Sequence, residues 1–450
     1  MQNICAVFDI GKTNKKLLAF NESFDVVYEH QVVFEEVLDD DGDVCDDLKA
    51  LTEWVLAQIE VLKSNTEFTL KALNFSAYGA SLVHIGANLQ PVTPLYNYLK
   101  VMPRKLKDEF LAKYGPAEDF FRAVASPNLG LLNSGLQLYW LKYEKVEFFK
   151  HVRYSLHLPQ YLSFLFSGKA QAEFTSIGCH TALWDFDAFK YHNWVEAERL
   201  KSISLEPVKA SETVEAEQVV VGPGIHDSSA ALVPYLKSAE DFVLISTGTW
   251  CITLNPNNHT ALTNKELEND GLNFISFEGK TVRAARLFSG NEHERQVKHL
   301  ASYFSVSEDY YKNVKFDYKL IQQLRKAHKQ VMPDQVELGE LRECPFVERN
   351  INMFRTYEEA YHQFIMDLVT QQIASTKQTF GNNAPKKIFV DGGFSRNEIF
   401  MNLLSEAFFN IEVYASEVAQ ASALGAALVI SDAWTKQPFE TSKLKLKRYF

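Results

Sequence analysis

The feature that most constrains this chain is a strand–turn–strand unit that occurs near the N-terminus and again past the middle. Residues 8–20, FDIGKTNKKLLAF, place a polar turn containing Gly11 between two apolar runs, and residues 244–256, LISTGTWCITLNP, do the same around Gly248. Apolar runs on both sides of a glycine-containing turn are typical of β-hairpins. Because the two units lie about half the chain apart, the sequence predicts two structurally similar halves.

The remaining periodicity predicts an α/β chain. Extended segments are expected at 3–9, 15–20, 23–34 and 70–78, and a helix at 46–63, whose apolar spacing buries Leu48, Leu51, Val55, Ile59 and Leu62. Further helices are predicted at 104–113, 133–150, 160–168 ending at Gly168, 356–380 and 417–433, with a helix-rich region at 283–330 and a last strand at 386–393. We expect one domain over 1–236 and a second over 237–450, packed tightly without a flexible linker.

Composition narrows the class of protein. The 450 residues carry a net charge of −11, which argues against binding to nucleic acid or to an anionic membrane. The five cysteines are far apart and odd in number, a pattern that favours a reducing cytoplasm and argues against disulfides and a zinc site. No signal peptide or apolar span is recognisable, so a cytoplasmic protein is expected. The basic final residues, TSKLKLKRYF, are interpreted as a solvated tail or helix end.

An acidic segment, DDDGDVCDD at 39–47, invites a calcium-loop interpretation. If Gly42 is the invariant glycine of an EF-hand, the first and twelfth ligand positions are Val37 and Leu48, and neither can bind the ion. The segment is therefore predicted to be a solvated turn in which Asp46 caps the following helix.

The two glycine turns have the groups needed to hold phosphate. Backbone N–H groups and the hydroxyls of Thr13, Thr247 and Thr249 can donate to phosphate oxygens. Asp9, at the end of the first strand, would repel a phosphate directly but would fit it through a Mg²⁺ ion. For either turn alone, an ordinary capped hairpin is the alternative. Lys12 is expected to point to solvent together with Lys15 and Lys16, rather than to phosphate.

Two other segments carry candidate site residues. In VDGGFSRN, Gly392 and Gly393 end a strand and offer a flat backbone surface to a planar ring, with Asn397 in the first turn of a helix that Ser395 and Glu398 are expected to cap as a box. A plain strand-to-helix turn is the alternative.

In GPGIHDSSAAL, Asp227 begins a helix, whose N-terminus stabilises the carboxylate in the charged form that a general base needs. A simple helix cap is the alternative for Asp227. His226 is interpreted as a packing or hydrogen-bonding residue.

The four segments, in this order along the chain, resemble the FGGY carbohydrate kinases, and within them the rhamnulokinase-like branch. The resemblance spans essentially the whole chain and includes GIHDSSAAL, STGTW, RLFSG and LPQYLSFLFSGKAQAEFTSIG. It implies two ribonuclease H-like domains of the actin and hexokinase type on either side of a cleft, with sugar bound mainly by the first domain and ATP by the second. It also allows a homodimer.

The resemblance implies a role for individual residues. Asp227 is expected to be the general base, and Asp9 to position Mg²⁺. The expected nucleotide-binding residues are Thr13, Asn14, Thr247, Gly248, Thr249, Gly290, Gly392, Gly393 and Asn397, with Gly393 backing the purine. The expected sugar-side residues are Tyr78, Gly79, Ser81, His226 and Asp227.

The sequence indicates the type of reaction more closely than it indicates which sugar is the substrate. The segment SAYGASLV lacks the charged pair that several relatives use to hold sugar hydroxyls, and Gln160 stands where relatives often have an acid. A ketose of the rhamnulose, fuculose or xylulose type is the expected acceptor. The alternatives are a catalytically impaired relative that binds sugar and nucleotide, and an ATPase of the actin or heat-shock type.

Overall fold

The computed structural model describes residues 1–328, 343–418 and 420–450. The predictions for residues 329–330 and for residue 419 lie outside the described residues. The strands of the first half are β1 (Gln2–Ile10), β2 (Lys15–Asn21), β3 (Val26–Val32), β4 (Val37–Leu38), β5 (Val44–Cys45), β6 (Phe68–Ala77), β7 (Leu82–Gly86), β8 (Val152–His157), β9 (Ala172–Glu173), β10 (Trp184–Asp185), β11 (Lys190–Tyr191), β12 (Pro207–Val208), β13 (Val214–Ala216), β14 (Val219–Val221) and β15 (Ile225–His226). The helices between them are α1 (Leu48–Ser64), α2 (Arg104–Tyr114), α3 (Ala117–Ala123), α4 (Ser134–Glu144), α5 (Val146–Phe149), α6 (Leu158–Ser167), α7 (Phe174–Ile177), α8 (Asn193–Ala197), α9 (Lys201–Ser204) and α10 (Asp227–Leu236).

The second half repeats the mixture of strands and helices. Its strands are β16 (Phe242–Thr247), β17 (Cys251–Asn255), β18 (Gly271–Ile275), β19 (Thr281–Leu287), β20 (Lys387–Gly392), β21 (Glu412–Ala415) and β22 (Lys447–Tyr449). Its helices are α11 (Asn264–Glu268), α12 (Ser289–Phe304), α13 (Tyr318–His328), α14 (Tyr357–Lys377), α15 (Glu398–Ala407) and α16 (Ala421–Val429). The α/β class predicted from the sequence is confirmed. Among the described residues, none of the helices is both long and apolar enough to cross a membrane.

The two predicted hairpins organise two sheets of the same layout. In the first sheet, β1 pairs with β2 in antiparallel fashion and with β6 in parallel, and β14 and β15 also run parallel to β6. In the second, β16 pairs antiparallel with β17 and parallel with β20, which is followed by a parallel β21. Central strands of this kind are covered on both faces, which explains the continuous apolar runs at 4–8 and 242–245.

Two helices lie between the sheets and connect the halves. Helix α10 packs on α16, and α16 also packs on β1 and β6 of the first sheet. Ala230 and Val233 of α10 belong to the core shared with β1, whereas Leu232 and Tyr235 belong to the core under β16. The crossing is close, since a Cβ at Gly425 would lie 1.8 Å from the carbonyl oxygen of Ala230. The C-terminal part of the chain is therefore bound to the first sheet.

Several boundaries differ from the predictions. The predicted helix at 133–150 is broken at Lys145 into α4 and α5. The region 283–330 begins with strand β19, and the strand at 386–393 is not the last, because β21 and β22 follow. The interpretation of the tail is wrong in part: most of its residues are exposed as expected, but residues 447–449 form the edge strand β22 against β21 instead of a helix end. Helix α6 ends at Gly168 in the left-handed conformation, as predicted.

The predicted helix caps were each displaced by one or two residues. Helix α1 buries the predicted stripe, but its cap is Asp47, whose side chain accepts from the Ala50 N–H at 2.9 Å, and not Asp46. The predicted capping box of α15 is wrong. Asn397 is the cap, and Ser395 donates to the Gly392 carbonyl instead. In both places a nearby side chain that can also accept a hydrogen bond caps the helix instead.

The acidic turn is held by lysines rather than by solvent. Lys100 Nζ lies 2.7, 2.6 and 2.8 Å from carboxylate oxygens of Asp39, Asp41 and Asp43. The neighbouring Asp46 accepts from Lys12 at 2.5 Å and from the buried Lys15 at 3.3 Å. The prediction that Lys12 and Lys15 point to solvent is therefore wrong. The carboxylate of Asp46 pairs with both ammonium groups and so connects them at the base of the first hairpin.

Candidate active site

The first candidate carboxylates meet where three parallel strands end. In the register of the first sheet, Asp9 of β1 lies opposite Ser76 of β6, and His226 of β15 lies opposite Ala77 on the other side of β6. Asp227 follows His226 directly as the first residue of α10. Residues far apart in sequence are thus brought to one edge of the sheet, as expected where parallel strands end together.

Asp227 is held as part of the first turn of α10. Its carboxylate accepts from the Ser228 N–H at 2.6 Å and lies 3.2 Å from Nε2 of His226. Burial raises the pKa of Asp227 to about 6, partly opposed by the hydrogen bonds from Ser228. About a third of the side chain is exposed. Asp227 is therefore an accessible carboxylate with a pKa close to neutral, the condition that suits a proton acceptor.

Asp9 is more deeply enclosed. Burial raises its pKa to about 6, against the hydrogen bond that Ser422 of α16 donates at 2.8 Å, and the charge of Asp227 raises it further. A buried carboxylate whose ionisation is costly forms a favourable place for a divalent cation, whose charge would offset that cost. The oxygen donors available here are the type that Mg²⁺ prefers.

The turn of the first hairpin is open to solvent. The Gly11 N–H donates to the Asn14 carbonyl at 2.9 Å and closes the turn, and Thr13 and Asn14 are exposed at its tip. Asn14 accepts from Gln31 at 3.1 Å. The side chains predicted to face phosphate are therefore available at the surface of the turn.

The second hairpin lies against the end of β20 and the start of α12. The Gly393 N–H donates to the Thr247 carbonyl at 2.9 Å, and the Phe394 N–H donates to the Thr247 hydroxyl at 2.9 Å. A Cβ at Gly290 would lie 1.8 Å from the Gly248 carbonyl oxygen, and one at Gly392 would lie 2.0 Å from that of Thr247. Gly392 also has a φ of 81°. Only glycine fits both positions, so the close approach of three separate segments explains their residue type.

These segments border one cavity of about 650 Å³. Five of the predicted nucleotide residues line it: Thr247, Gly248, Gly290, Gly393 and Asn397. Gly392 is exposed at the strand end beside it and Thr249 is exposed on the turn. Asn397 donates from Nδ2 to the Tyr361 hydroxyl at 2.8 Å, so its side chain is fixed within the wall. A cavity of this size suits a ligand the size of a nucleotide.

Sequence reasoning missed several residues of this wall. His293, Tyr311, Lys312, Lys315, Phe394 and Arg396 also line the cavity. Three of them are cations, which suits an anionic ligand. Arg396 lies beside the glycines and was within reach of the motif, but the two lysines follow α12 in a segment without any pattern. Asp391 was missed as well; it accepts from the Tyr235 hydroxyl at 3.2 Å, and burial raises its pKa to about 6.

Only some of the predicted sugar-side residues lie beside Asp227. Gly79, His226 and Asp227 lie next to one another, because a Cβ at Gly79 would lie 3.1 Å from Nε2 of His226, and that Nε2 lies 3.2 Å from Asp227 Oδ1. Ser81 is buried. The Tyr78 hydroxyl donates to Asp46 at 2.8 Å, so its polar atom belongs to the cluster at the base of the hairpin.

Comparison with known proteins gives a consistent family. Residues 4–223 match the model for the N-terminal domain of the FGGY family of carbohydrate kinases, and residues 239–438 match the model for carbohydrate kinase FGGY, C-terminal domain. A rhamnulokinase of Halalkalibacterium halodurans is 24% identical over 272 residues, which are 56% of this chain and 56% of that protein. A rhamnulokinase of Oceanobacillus iheyensis is 26% identical over 175 residues, 34% of this chain and 37% of that one. The matched segment thus spans about half, or less, of the length of these relatives.

Solved structures share the fold over nearly the whole chain. A carbohydrate kinase from Novosphingobium aromaticivorans has a TM-score of 0.79 at 19% identity and covers 99% of this chain and 96% of that one. A ligand-bound xylulose kinase from Lactobacillus acidophilus has a TM-score of 0.76 at 14% identity, covering 100% and 94%. The predicted architecture, two domains of the actin and hexokinase type, is confirmed by these likenesses.

Proposed function

The chain belongs to the FGGY family of carbohydrate kinases, and we propose that it transfers the γ-phosphate of ATP to a hydroxyl of a ketose, with Asp227 as general base. The observation that carries the proposal is the shared wall of one cavity. Three segments distant in sequence, 247–248, Gly290 and 393–397, line it together. A single hairpin would not bring Gly248, Gly290 and Gly393 together, because they belong to three separate segments.

In this proposal the nucleotide lies in the cavity of the second half. The backbone at Gly393 offers a surface for the purine, and the turns at 13–14 and 247–249 donate to the phosphates. Lys312, Lys315 and Arg396 add positive charge at the wall. Phosphoryl transfer requires mainly alignment and neutralisation of charge, which these groups can supply.

Asp9 would hold the Mg²⁺ that accompanies ATP. The ion would supply neutralisation of the phosphate charge when bound. Asp9 itself is positioned by Ser422 of α16, so the C-terminal helix fixes a group on the first sheet. The two raised carboxylate pKa values at this edge support a cation there.

The acceptor sugar would bind at the end of β6. Gly79 lies against His226, which lies 3.2 Å from Asp227, and the ionised Asp227 would accept the proton of the attacking hydroxyl. The names of the relatives, rhamnulokinases and xylulose kinases, support a ketose with a free primary hydroxyl. We also propose that residues 1–236 bind the sugar and 237–450 the nucleotide, and that the protein is cytoplasmic, since its five cysteines are free and buried. A homodimer stays a prediction.

A ketose panel tests the proposal. Purified protein is incubated with ATP, Mg²⁺ and one ketose or polyol at a time, and ADP release is measured against a control with water alone. We expect at least one ketose to raise ADP release well above that control. A broad panel without any such sugar would contradict the proposal and favour a binding protein without kinase activity.

A further inference from the structure

A thiol and two imidazoles lie together beside the proposed sugar site. Cys179 Sγ, one ring nitrogen of His180 and one of His226 all lie within 4.8 Å of one another. Cys179 and His180 follow α7, whereas His226 ends β15, so two separate segments build the cluster. Phosphoryl transfer as proposed above uses neither Cys179 nor His180.

Gly79, just after β6, has no side chain, so Cys179 and His226 can approach its backbone closely. A Cβ at Gly79 would lie 2.8 Å from Cys179 Sγ and 3.1 Å from His226 Nε2, so both atoms face the same point. Asp227 Oδ1 lies 3.2 Å from the same Nε2 and borders the cluster. One sulfur, two nitrogens and one oxygen therefore lie close together in this part of the first half.

His180 gives an independent sign that a ligand belongs here. Its Nδ1 is buried without a hydrogen bond, although the carbonyls of Leu132 and of His180 itself lie near the ring. The backbone of His180 has a φ of 39°, which is uncommon for a residue with a side chain, and Asn133 Nδ2 donates to its carbonyl at 2.9 Å. Strain at one residue and an unpaired buried nitrogen on its side chain together are typical of a functional position.

The second histidine is already oriented as a ligand would require. Nδ1 of His226 lies 3.4 Å from the Ser229 hydroxyl, whereas Nε2 lies 3.2 Å from Asp227 Oδ1. Metal-binding histidines usually have such a partner on the other ring nitrogen.

Although the cysteine spacing along the sequence argues against a zinc site, we propose that Cys179, His180 and His226 form a binding site for a zinc-type divalent ion, with a carboxylate oxygen of Asp227 as the fourth donor. Thiolate and imidazole together select Zn²⁺ and exclude Mg²⁺, which prefers oxygen ligands. On binding, the S–H bond of Cys179 breaks, a metal–sulfur bond forms and the proton is released to solvent. This ion would also exclude the sugar, because both would lie beside Asp227, and this part of the proposal rests on the function proposed above.

Cobalt titration of the purified, metal-stripped protein tests the site without any assay of activity. We expect about one Co²⁺ per chain with a thiolate-to-cobalt charge-transfer band in the near ultraviolet, removed by added Zn²⁺. Cys179→Ser should abolish the band, and His180→Asn, which tolerates a positive φ, should weaken Co²⁺ binding about 10-fold or more. Cys344→Ser, a buried cysteine of the second half, is the matched control and should retain the band.

Three results would overturn the site: no band in the wild-type protein, a band that persists in Cys179→Ser, or a band lost equally in Cys344→Ser. Near-ultraviolet circular dichroism and thermal melting of each variant identify loss of fold. If Cys179→Ser does not fold, His180→Asn decides, and unchanged Co²⁺ affinity in that variant refutes the site.

A second titration tests exclusion of the sugar. At a sugar concentration of about ten times its Kd, exclusive binding raises the apparent Kd of Co²⁺ about tenfold by mass action. An unchanged Kd would overturn the exclusion. A cobalt band without any sugar substrate in the panel would contradict the kinase proposal alone, whereas sugar turnover without a band would contradict the metal site alone.

Discussion

Replacing Asp227 with Asn removes the proposed proton acceptor with little change of shape. The Asn side chain is nearly isosteric, and its carbonyl oxygen can still accept from the Ser228 N–H that now donates at 2.6 Å. The neighbouring His226 is buried and keeps its contact with Ser229. The expected loss is therefore chemical rather than structural.

The size of the loss follows from the role of a general base. Such a base contributes about 10²–10⁴-fold to the rate, so kcat should fall by that factor, about 2.7–5.4 kcal/mol of barrier at 1.36 kcal/mol per decade. The affinity for MgADP should not change, because Asp227 does not line the nucleotide cavity. A structural residue would lower both quantities.

Stability should move in the opposite direction. Burial raises the pKa of Asp227 from 3.8 to about 6, so ionised Asp227 destabilises the folded state near pH 7. With allowance for the third of the side chain that is exposed, Asp227→Asn should raise the free energy of unfolding by about 1–2 kcal/mol. A group kept at a cost to stability is typical of an active site.

The experiment compares wild type, Asp227→Asn and Asp432→Asn, whose aspartate is exposed and serves as the matched control. Coupled ADP release with the best ketose gives kcat, calorimetry gives MgADP affinity, and urea unfolding gives stability. Retention of more than about a tenth of wild-type kcat, which falls short of the smallest general-base contribution, would refute the assignment. A large fall in stability together with loss of MgADP binding would refute it as well.

Four further outcomes are expected. Because burial raises the pKa of Asp227 to about 6 and only the carboxylate accepts a proton, kcat/KM should be flat above about pH 7 and fall about tenfold per unit well below pH 6; a rate that rises on acidification would contradict this. Gly290→Ala places a Cβ 1.8 Å from the Gly248 carbonyl oxygen, so the turn must move and MgADP affinity should fall about 10²-fold, measured by calorimetry; unchanged affinity would show that the turn does not hold nucleotide. Asp46→Ala leaves the buried Lys15 without its carboxylate and should lower the free energy of unfolding in urea by about 3 kcal/mol. Burial opposes the charge of Asp46, but Lys12 and Tyr78 outweigh it and hold the pKa of Asp46 below its usual value. The same stabilisation should therefore disappear as the wild-type protein is acidified below about pH 4. Chelation of Mg²⁺ should abolish ADP release and re-addition should restore it, whereas full activity in chelator would exclude the role given to the cation.

The general architecture was predictable from local pattern. Buried runs on both sides of Gly11 and Gly248 predicted two hairpins, and both form at the expected positions. The stripe of α1 from Leu48 to Leu62 is buried as predicted. These features depend on periodicity and on turn chemistry, which act within about twenty residues.

What could not be predicted depends on distant partners. Lys15 looks exposed in a polar turn, but Asp46 makes its burial favourable from a different segment. Ser422 reaches Asp9 from the last helix, and no local signal marks it. Lys312 and Lys315 line the cavity from an irregular segment for the same reason. Propensity identifies elements, whereas the side chains that complete a site are chosen by tertiary contact.

The most direct test of the account is a crystal structure with a ketose substrate and a non-hydrolysable ATP analogue. The account predicts the acceptor hydroxyl at about 2.6–3.2 Å from the Asp227 carboxylate, the purine beside Gly393 and the terminal phosphate between the turns at 13–14 and 247–249. A nucleotide bound outside the cavity, or an acceptor hydroxyl held by another group with Asp227 beyond hydrogen-bond distance, would contradict it.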